Sequence, residues 1–103
     1  MKVLLKRDHF SKWEETEVEN ELEALQALVG GYIEAITLSR NLVLLCDEEG
    51  RIKGLPYNTR ILGEELVGPL VVCGTDEGEF TDAPSVKDFI RFWAGHYESD
   101  RAD

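Results

Sequence analysis

Two short apolar runs place the strongest constraint on the fold of this chain. Residues 42–46 read LVLLC and residues 70–73 read LVVC, so neither run alternates apolar with polar side chains. Strands that are apolar on both faces are typical of the interior of a sheet, where both faces are covered. Both runs are therefore predicted to be central strands.

Further extended segments surround these two runs. Residues 32–38 are followed by the turn-type sequence SRN, so they are predicted to form an antiparallel hairpin with residues 42–46. Residues 47–50 (DEEG) are predicted to form a turn in which Gly50 takes the left-handed conformation. Other strands are predicted at residues 1–7, 16–18, 51–55 and 59–62, with Gly63 ending the last of these and a short extended piece at Phe80.

Two amphipathic helices are predicted, one in each half of the chain. Asn20 is a favoured N-cap residue, and leucines at helical spacing follow it until the glycines at 30–31 end the pattern. The second helix is predicted to begin near Pro84, with Asp82 or Ser85 as its cap. Its apolar face would consist of Val86, Phe89, Ile90, Trp93 and Tyr97.

The order of these elements predicts the fold class. The chain has 103 residues, of which 43% are apolar, and this is enough for one hydrophobic core. We predict a single α+β domain over residues 1–98, built on a small, mostly antiparallel β-sheet. Residues 99–103 are predicted to be a disordered tail.

The chain carries no pattern typical of membrane insertion or export. No apolar run approaches the roughly 20 residues that span a bilayer, and the apolar part of MKVLLKRDHF is too short for a signal-peptide core. Cys46 and Cys73 each lie in a strand-like apolar run, where a thiol usually behaves as a small buried apolar group. We therefore expect a cytoplasmic protein without disulfides.

The charge balance bears on the class of partner. The chain has 21 acidic and 11 basic residues, a formal net charge of −10. Nucleic-acid binding depends on lysine and arginine to neutralise phosphates, so we expect no direct nucleic-acid binding. We expect the partner to be a protein, and basic proteins are among the candidates. Residues 14–23 hold six carboxylates, which form either a solvated face or a binding face whose candidate residues are Glu15, Glu17 and Glu19.

Residues that commonly carry chemistry are present without the patterns that chemistry requires. His9 and His96 have no Cys, Asp or Glu at a spacing typical of a metal site or a catalytic pair. The serines lie outside GxSxG and SxxK motifs, and the acidic clusters lack the ligand spacing of an EF-hand. We predict no catalytic, cofactor-binding or metal site, and a protein that is not an enzyme.

One segment is unusual for a connecting loop. Residues 54–60 read GLPYNTR and place an aromatic ring, an amide and a cation around a proline. Tyr57, Asn58 and Arg60 are therefore candidates for hydrogen bonding to a ligand or partner. The alternative is that Asn58 closes a turn and Tyr57 caps the core.

Two aromatic residues are candidates for an interface. Phe92 lies about 120° away from the apolar face of the second helix on a helical wheel, so it is predicted to be partly exposed. Trp13 is a second candidate for exposed apolar surface. Because exposed apolar surface on a chain of this size is often covered by a second copy, a homodimer is one of the expected states.

The central part of the chain resembles a known family. The segments LQALVGGYIEAI, LVLLCDEEGRIKGLPYN and VGPLVVCG, between residues 25 and 74, are similar to the domain-of-unknown-function family 3846. One departure is Asp47, where an asparagine is common, and this is a conservative change. The resemblance implies an occurrence in phages, prophages and other mobile elements, without an assigned activity.

Two functions of different classes follow. The first is a small non-enzymatic phage or prophage protein that binds a host factor, in particular an anti-defence inhibitor of CRISPR or restriction systems whose acidic surface resembles nucleic-acid phosphates. The alternative is a protein that binds or sequesters a small molecule such as a nucleotide, in a pocket around Tyr57, Asn58 and Arg60.

Overall fold

The computed structural model describes the backbone of residues 1–97 and the side chains of residues 1–92. The tail predicted at residues 99–103 lies outside this part of the chain. The elements in chain order are β1 (Lys2–Lys6), β2 (Glu14–Glu17), α1 (Leu22–Val29), β3 (Ile33–Ser39), β4 (Leu42–Asp47), α2 (Gly50–Lys53), β5 (Tyr57–Ile61), β6 (Glu64–Val67), β7 (Leu70–Asp76), β8 (Glu79–Thr81) and α3 (Val86–Tyr97).

The strands form one large and one small antiparallel sheet. In the large sheet the order is β2-β1-β7-β4-β3, and the short strand β8 pairs with the second half of β7. Strands β5 and β6 form a separate hairpin. The predicted α+β class and the mostly antiparallel sheet are confirmed.

The two fully apolar runs are central strands, as predicted. All six residues of β4 are buried, and β4 lies between β3 and β7. The first five residues of β7 are buried as well, and β7 lies between β1 and β4. Because both faces of these strands are covered, the domain has a core on each side of the sheet.

Different elements cover the two faces. Helix α1 inserts Leu25 and Val29 against one face, which consists of Val3, Leu5, Val43, Leu45, Val71 and Cys73. Helix α3 and the β5–β6 hairpin cover the other face with Phe89, Ile61 and Leu66 against Leu4, Leu44, Leu70 and Val72. The helical apolar face predicted for α3 is confirmed for Val86, Phe89 and Ile90, whereas the side chains of Trp93 and Tyr97 lie outside the described ones.

The helix ends confirm two of the predicted signals and correct a third. Gly30 takes the left-handed conformation (φ 92°) that ends α1. The Ser85 hydroxyl accepts a hydrogen bond from the Asp88 N–H (3.1 Å) at the start of α3. Asn20 is not the N-cap of α1: Glu21 holds that position, because the Asn20 amide instead donates to the Phe80 carbonyl of β8 (3.1 Å).

The strand predicted at residues 51–55 is wrong. Residues Gly50–Lys53 form the short helix α2, and Gly54, not Gly50, takes the left-handed conformation (φ 74°). The physical reason is the Asp47 carboxylate, which accepts from the Glu49 N–H (2.8 Å) and from the Lys53 ammonium (2.7 Å). These two bonds fold the segment back on itself instead of letting it extend.

The strand predicted at residues 59–62 corresponds to β5, which pairs with β6 in a hairpin. Its two-residue turn places both Leu62 (φ 56°) and Gly63 (φ 81°) in the left-handed region, which matches the right-handed twist of the flanking strands. Gly63 ends the strand as predicted.

Among the described residues, no helix is long and apolar enough to cross a membrane.

Candidate functional site

A groove with an exposed aromatic wall lies at one end of the large sheet. It occupies about 890 Å³ between the β3–β4 turn, the paired ends of β7 and β8, and α3. Its lining includes Leu42, Thr75, Asp76, Pro84 and Phe92. We call this cavity the Phe92 groove.

Close backbone contacts hold the elements around the groove. A Cβ atom on Gly74 would lie 2.5 Å from the Thr81 hydroxyl and 2.7 Å from the Asp82 carbonyl, so only glycine allows the segment at 81–82 to approach β7 this closely. The Asp82 carboxylate accepts from the Lys2 N–H (2.8 Å), and the Ala83 N–H donates to the Lys2 carbonyl (2.8 Å). The wall of the groove is thus attached to the inner strand β1.

The chemistry of the groove combines apolar and acidic groups. The Phe92 side chain is 77% exposed, as predicted, and it lines the groove together with Leu42 and Pro84. Asp76 adds an exposed carboxylate, and Thr75 adds a hydroxyl group. Such a site is suited to an apolar side chain that is accompanied by a positive charge or a hydrogen-bond donor.

The acidic segment lies on the edge strand β2 and the residues after it. Glu15, Glu17 and Glu19 are all exposed. Glu17 lies 3.6 Å from the N-terminal ammonium, and Glu14 lies 3.9 Å from Arg7. Charges of this kind protect a sheet edge from pairing with another chain. None of the described residues that line the Phe92 groove comes from this segment.

Trp13 is not an exposed interface residue, and the prediction is corrected. Its side chain is only 5% exposed and packs edge-to-face on Phe89 of α3, with 5.1 Å between the ring centroids. The connection between β1 and β2 therefore contributes to the core. A single aromatic residue in a polar segment gives no sequence signal for this placement, because its partner is 76 residues further along the chain.

Asn58 is also placed differently from the prediction. The residue is fully buried. Its amide nitrogen donates to the carbonyls of Lys6 (3.0 Å) and Gly68 (2.9 Å), and its amide oxygen accepts from the Lys6 ammonium (3.0 Å). The Asn58 amide is used to join β1, β5 and the β6–β7 connection, so it is unavailable to a ligand in this structure.

Tyr57 and Arg60 have different surroundings from Asn58. The half-buried Tyr57 ring lies 5.3 Å from the His9 ring. The Arg60 guanidinium pairs with Glu65 across the β5–β6 hairpin at 2.7 Å. Asn58 and Arg60 are therefore engaged within the protein. The alternative that Asn58 closes a turn is also wrong, because Asn58 lies in β5 and bonds to Lys6 and Gly68.

The structure adds a buried polar cluster that the sequence did not indicate. The ammonium of the buried Lys6 donates to the carbonyls of Asp8 (2.7 Å) and His9 (3.3 Å) as well as to Asn58. The His9 imidazole donates from Nδ1 to the Asn58 carbonyl (2.8 Å). The nearest sequence signal is a lysine at the end of an apolar run, which is equally typical of an exposed strand end.

The two cysteines are buried free thiols. Cys46 lies on the face covered by α3, whereas Cys73 lies on the face covered by α1, so the sheet itself separates them. Burial raises the pKa of both thiols to about 11. Neither thiol is therefore suited to nucleophilic chemistry at neutral pH.

Among the described residues, no group of three or more His, Cys, Asp or Glu side chains could hold a metal ion.

Comparison with known proteins identifies the family. No curated protein matches this chain, and no solved structure does. A family model described as a domain of unknown function (DUF3846) matches residues 1–94 and therefore includes every described strand. The chain belongs to the DUF3846 family.

Proposed function

We propose that this protein is a small, acidic, non-enzymatic binding protein that attaches to a basic region of a host protein through the Phe92 groove. The observation that carries this proposal is the Phe92 side chain, which is 77% exposed at the wall of a cavity of about 890 Å³. Exposure of a large aromatic ring to water is unfavourable in free energy, and a partner that covered the ring would remove this penalty.

The energetic argument depends on the ring and on the charge. Burying a phenylalanine side chain contributes about 1.5–3 kcal/mol, and aromatic residues are typical anchors of protein interfaces. The net charge of −10 attracts a positively charged surface over a distance and raises the rate of encounter. The exposed Asp76 places part of that charge in the groove itself.

A narrower form of the proposal concerns the biological role. The occurrence in phages and prophages that the family resemblance implies supports an anti-defence protein that acts in the host cytoplasm. In this role its carboxylates would occupy a basic channel that normally binds nucleic acid. Relief of CRISPR or restriction activity by the wild-type protein in a plaque assay tests this narrower proposal.

The small-molecule alternative has less support. A nucleotide site around Tyr57 would need the Asn58 amide and the Arg60 guanidinium, and both groups already bond within the protein. The Phe92 groove is large enough for a nucleotide, yet Asp76 and Asp82 would repel its phosphates. A panel of nucleotides in a thermal-shift assay tests the alternative directly.

The experiment compares two phenylalanines whose side chains are both largely exposed. The tagged wild-type protein, Phe92→Asp and Phe10→Asp are used to capture proteins from a bacterial host lysate. Phe10 is 93% exposed and lies outside the Phe92 groove, so Phe10→Asp is a matched control. We expect a partner with a basic surface to be retained by the wild type and by Phe10→Asp, and to be lost with Phe92→Asp.

Binding of the identified partner is then measured with purified proteins. Asp76→Asn is expected to weaken the complex and to reduce its salt dependence, because one charge of the groove is removed. Equal capture by all three proteins, or a partner surface that is acidic, would contradict the proposal.

A further inference from the structure

Strand β3 forms an open edge of the large sheet. It contains seven residues and pairs with β4 alone within the described part of the chain. Glu34 is its single charged residue. The opposite edge strand, β2, has three glutamates among its four residues. A long edge with little charge is a template for pairing with another strand, whereas β2 is protected from it.

The hydrogen-bond pattern shows which main-chain groups of β3 face outward. The Tyr32 carbonyl accepts from the Glu48 N–H (2.7 Å), and the Glu34 carbonyl accepts from the Cys46 thiol (3.8 Å), so these carbonyls point toward β4. Bonded and non-bonded residue pairs alternate along an antiparallel ladder. Ala35 lies between Glu34 and Ile36 in the register, and its N–H and C=O therefore point away from the sheet.

An acidic groove lies beside this edge. It has a volume of about 190 Å³, and its lining includes the carboxylates of Glu34, Glu48 and Glu64 and the side chains of Ile36 and Ile52. Arg51 also lines the groove, and its guanidinium donates to the Glu65 carbonyl. The three carboxylates are exposed, and none of them forms an ion pair with a described lysine or arginine. The Ile52 side chain is 88% exposed.

The edge connects this groove to the Phe92 groove. Glu34, near the start of β3, lines the acidic groove, and Ser39, at the end of β3, lines the Phe92 groove. A strand that pairs with β3 as far as the register shift between Thr37 and Ser39 would therefore lead from the acidic groove toward the Phe92 groove. Its alternate side chains would face the carboxylates of the acidic groove.

We propose that β3 receives an extended segment of a partner protein by strand addition, and that this segment alternates basic with apolar residues. The inference rests on the proposed function, since it describes how the same basic partner is held. Main-chain hydrogen bonds to the outward groups of β3 would supply affinity, and lysine or arginine side chains over Glu34, Glu48 and Glu64 would supply specificity. A second copy of this chain is the less suitable occupant because each copy carries a net charge of −10.

The test uses a synthetic peptide of about nine residues, near the upper end of the usual range of strand lengths, in which lysine alternates with valine. Its binding is measured by fluorescence anisotropy, with an aspartate–valine peptide as the control. Ala35→Pro removes an outward N–H and leaves the ladder with β4 in place, because proline is tolerated at this kind of edge position. Ala35→Val keeps the N–H and serves as the matched variant.

We expect the lysine–valine peptide to bind the wild type and Ala35→Val, and to bind Ala35→Pro about tenfold less tightly because at least one main-chain hydrogen bond is lost. The triple variant E34Q/E48Q/E64Q should bind it more weakly and with a smaller salt dependence. Independently of the proline variant, bound peptide should slow solvent exchange of the Ala35 amide proton in the wild type.

Unchanged affinity in a folded Ala35→Pro protein, or unchanged exchange of the Ala35 amide with saturating peptide, overturns the strand-addition proposal. A wild-type dimer that Ala35→Pro converts to a monomer in light scattering also overturns it, because a second copy would then occupy the edge. The peptide has no aromatic residue, so Phe92→Asp should retain it. If Phe92→Asp loses the host partner while Ala35→Pro keeps it, the proposed function stands and strand addition fails.

Discussion

The Lys6 ammonium and the Asn58 amide oxygen lie 3.0 Å apart inside the protein, although the two residues are 52 positions apart in the chain. The same Asn58 side chain returns a hydrogen bond to the Lys6 carbonyl. These reciprocal bonds attach the β5–β6 hairpin to the large sheet through a polar contact in an otherwise apolar layer. The unusual GLPYNTR segment thus acquires a structural explanation.

Replacing Asn58 should destabilise the protein strongly. Asn58→Ala leaves the buried Lys6 and Gly68 carbonyls without the amide donor, and an unsatisfied buried polar group costs about 1–3 kcal/mol. We expect a loss of about 3 kcal/mol in the free energy of unfolding, measured by urea denaturation. The exposed Asn41→Ala serves as the control, and a similar stability for both variants would contradict the role assigned to Asn58.

The phenylalanines of α3 should respond very differently to truncation. Phe89 is 1% exposed and packs against Trp13, so Phe89→Ala should lower the free energy of unfolding by about 3–5 kcal/mol. Phe92 is exposed, and Phe92→Ala should change stability by less than about 0.5 kcal/mol. Thermal denaturation of the two variants checks the pair. A large loss with Phe92→Ala would mean that the ring is part of the core.

Gly74→Ala should disturb the β7–β8 contact. The new methyl group would meet the Thr81 hydroxyl at 2.5 Å and the Asp82 carbonyl at 2.7 Å. Because one of these atoms belongs to the backbone, we expect a loss of about 1–3 kcal/mol, as for other overpacked positions. The double variant Gly74→Ala/Thr81→Ala removes only the hydroxyl contact and should recover only part of the loss.

Stability in acid should depend on Asp47. The Lys53 ammonium, together with the Glu49 N–H, holds the pKa of the Asp47 carboxyl below its usual value. A carboxyl whose pKa is lowered by folding stabilises the native state above its unfolded pKa of about 3.9. This contribution is lost as the pH falls through the lower, folded pKa.

The check is the urea midpoint measured between neutral pH and about pH 2. Asp47→Asn should be less stable than the wild type at neutral pH, and its stability should fall less on acidification. Glu49→Gln keeps the backbone donor to Asp47 and should behave like the wild type. If Asp47→Asn follows the wild-type pH curve, the coupling to Lys53 contributes nothing to stability.

Both thiols should be slow to react in the folded protein. Burial raises their pKa to about 11, so the thiolate is scarce at neutral pH as well as inaccessible. With a disulfide reagent at pH 8, Cys46 should react before Cys73, because it is 6% exposed and Cys73 is fully buried. In guanidinium chloride the protein unfolds, so both thiols should react rapidly and at similar rates. Rapid reaction of Cys73 in the native protein would be incompatible with its position in β7.

Local patterns were sufficient for the elements whose physics is local. The apolar runs at β4 and β7 predicted inner strands, since only a position covered on both faces accommodates such side chains. The exposure of Phe92 followed from helical geometry, and Gly30 and Ser85 marked helix ends through bonds to their own neighbours. Residues 51–55 were misassigned because their composition fits a strand, whereas α2 depends on bonds made by the Asp47 side chain.

The sequence by itself determined the fold class and the two central apolar strands, each of which holds a cysteine. It also determined that the protein is acidic. Composition and short-range periodicity carry this information. Only the tertiary structure decided that Trp13 and Asn58 are buried, that Phe92 borders a groove, and that β3 is an open edge beside a second, acidic groove. The physical reason is that burial and edge position are set by contacts between residues far apart in the chain. Asn58, which looks like a surface amide in the sequence, is satisfied by Lys6 and Gly68 once the hairpin folds over the sheet.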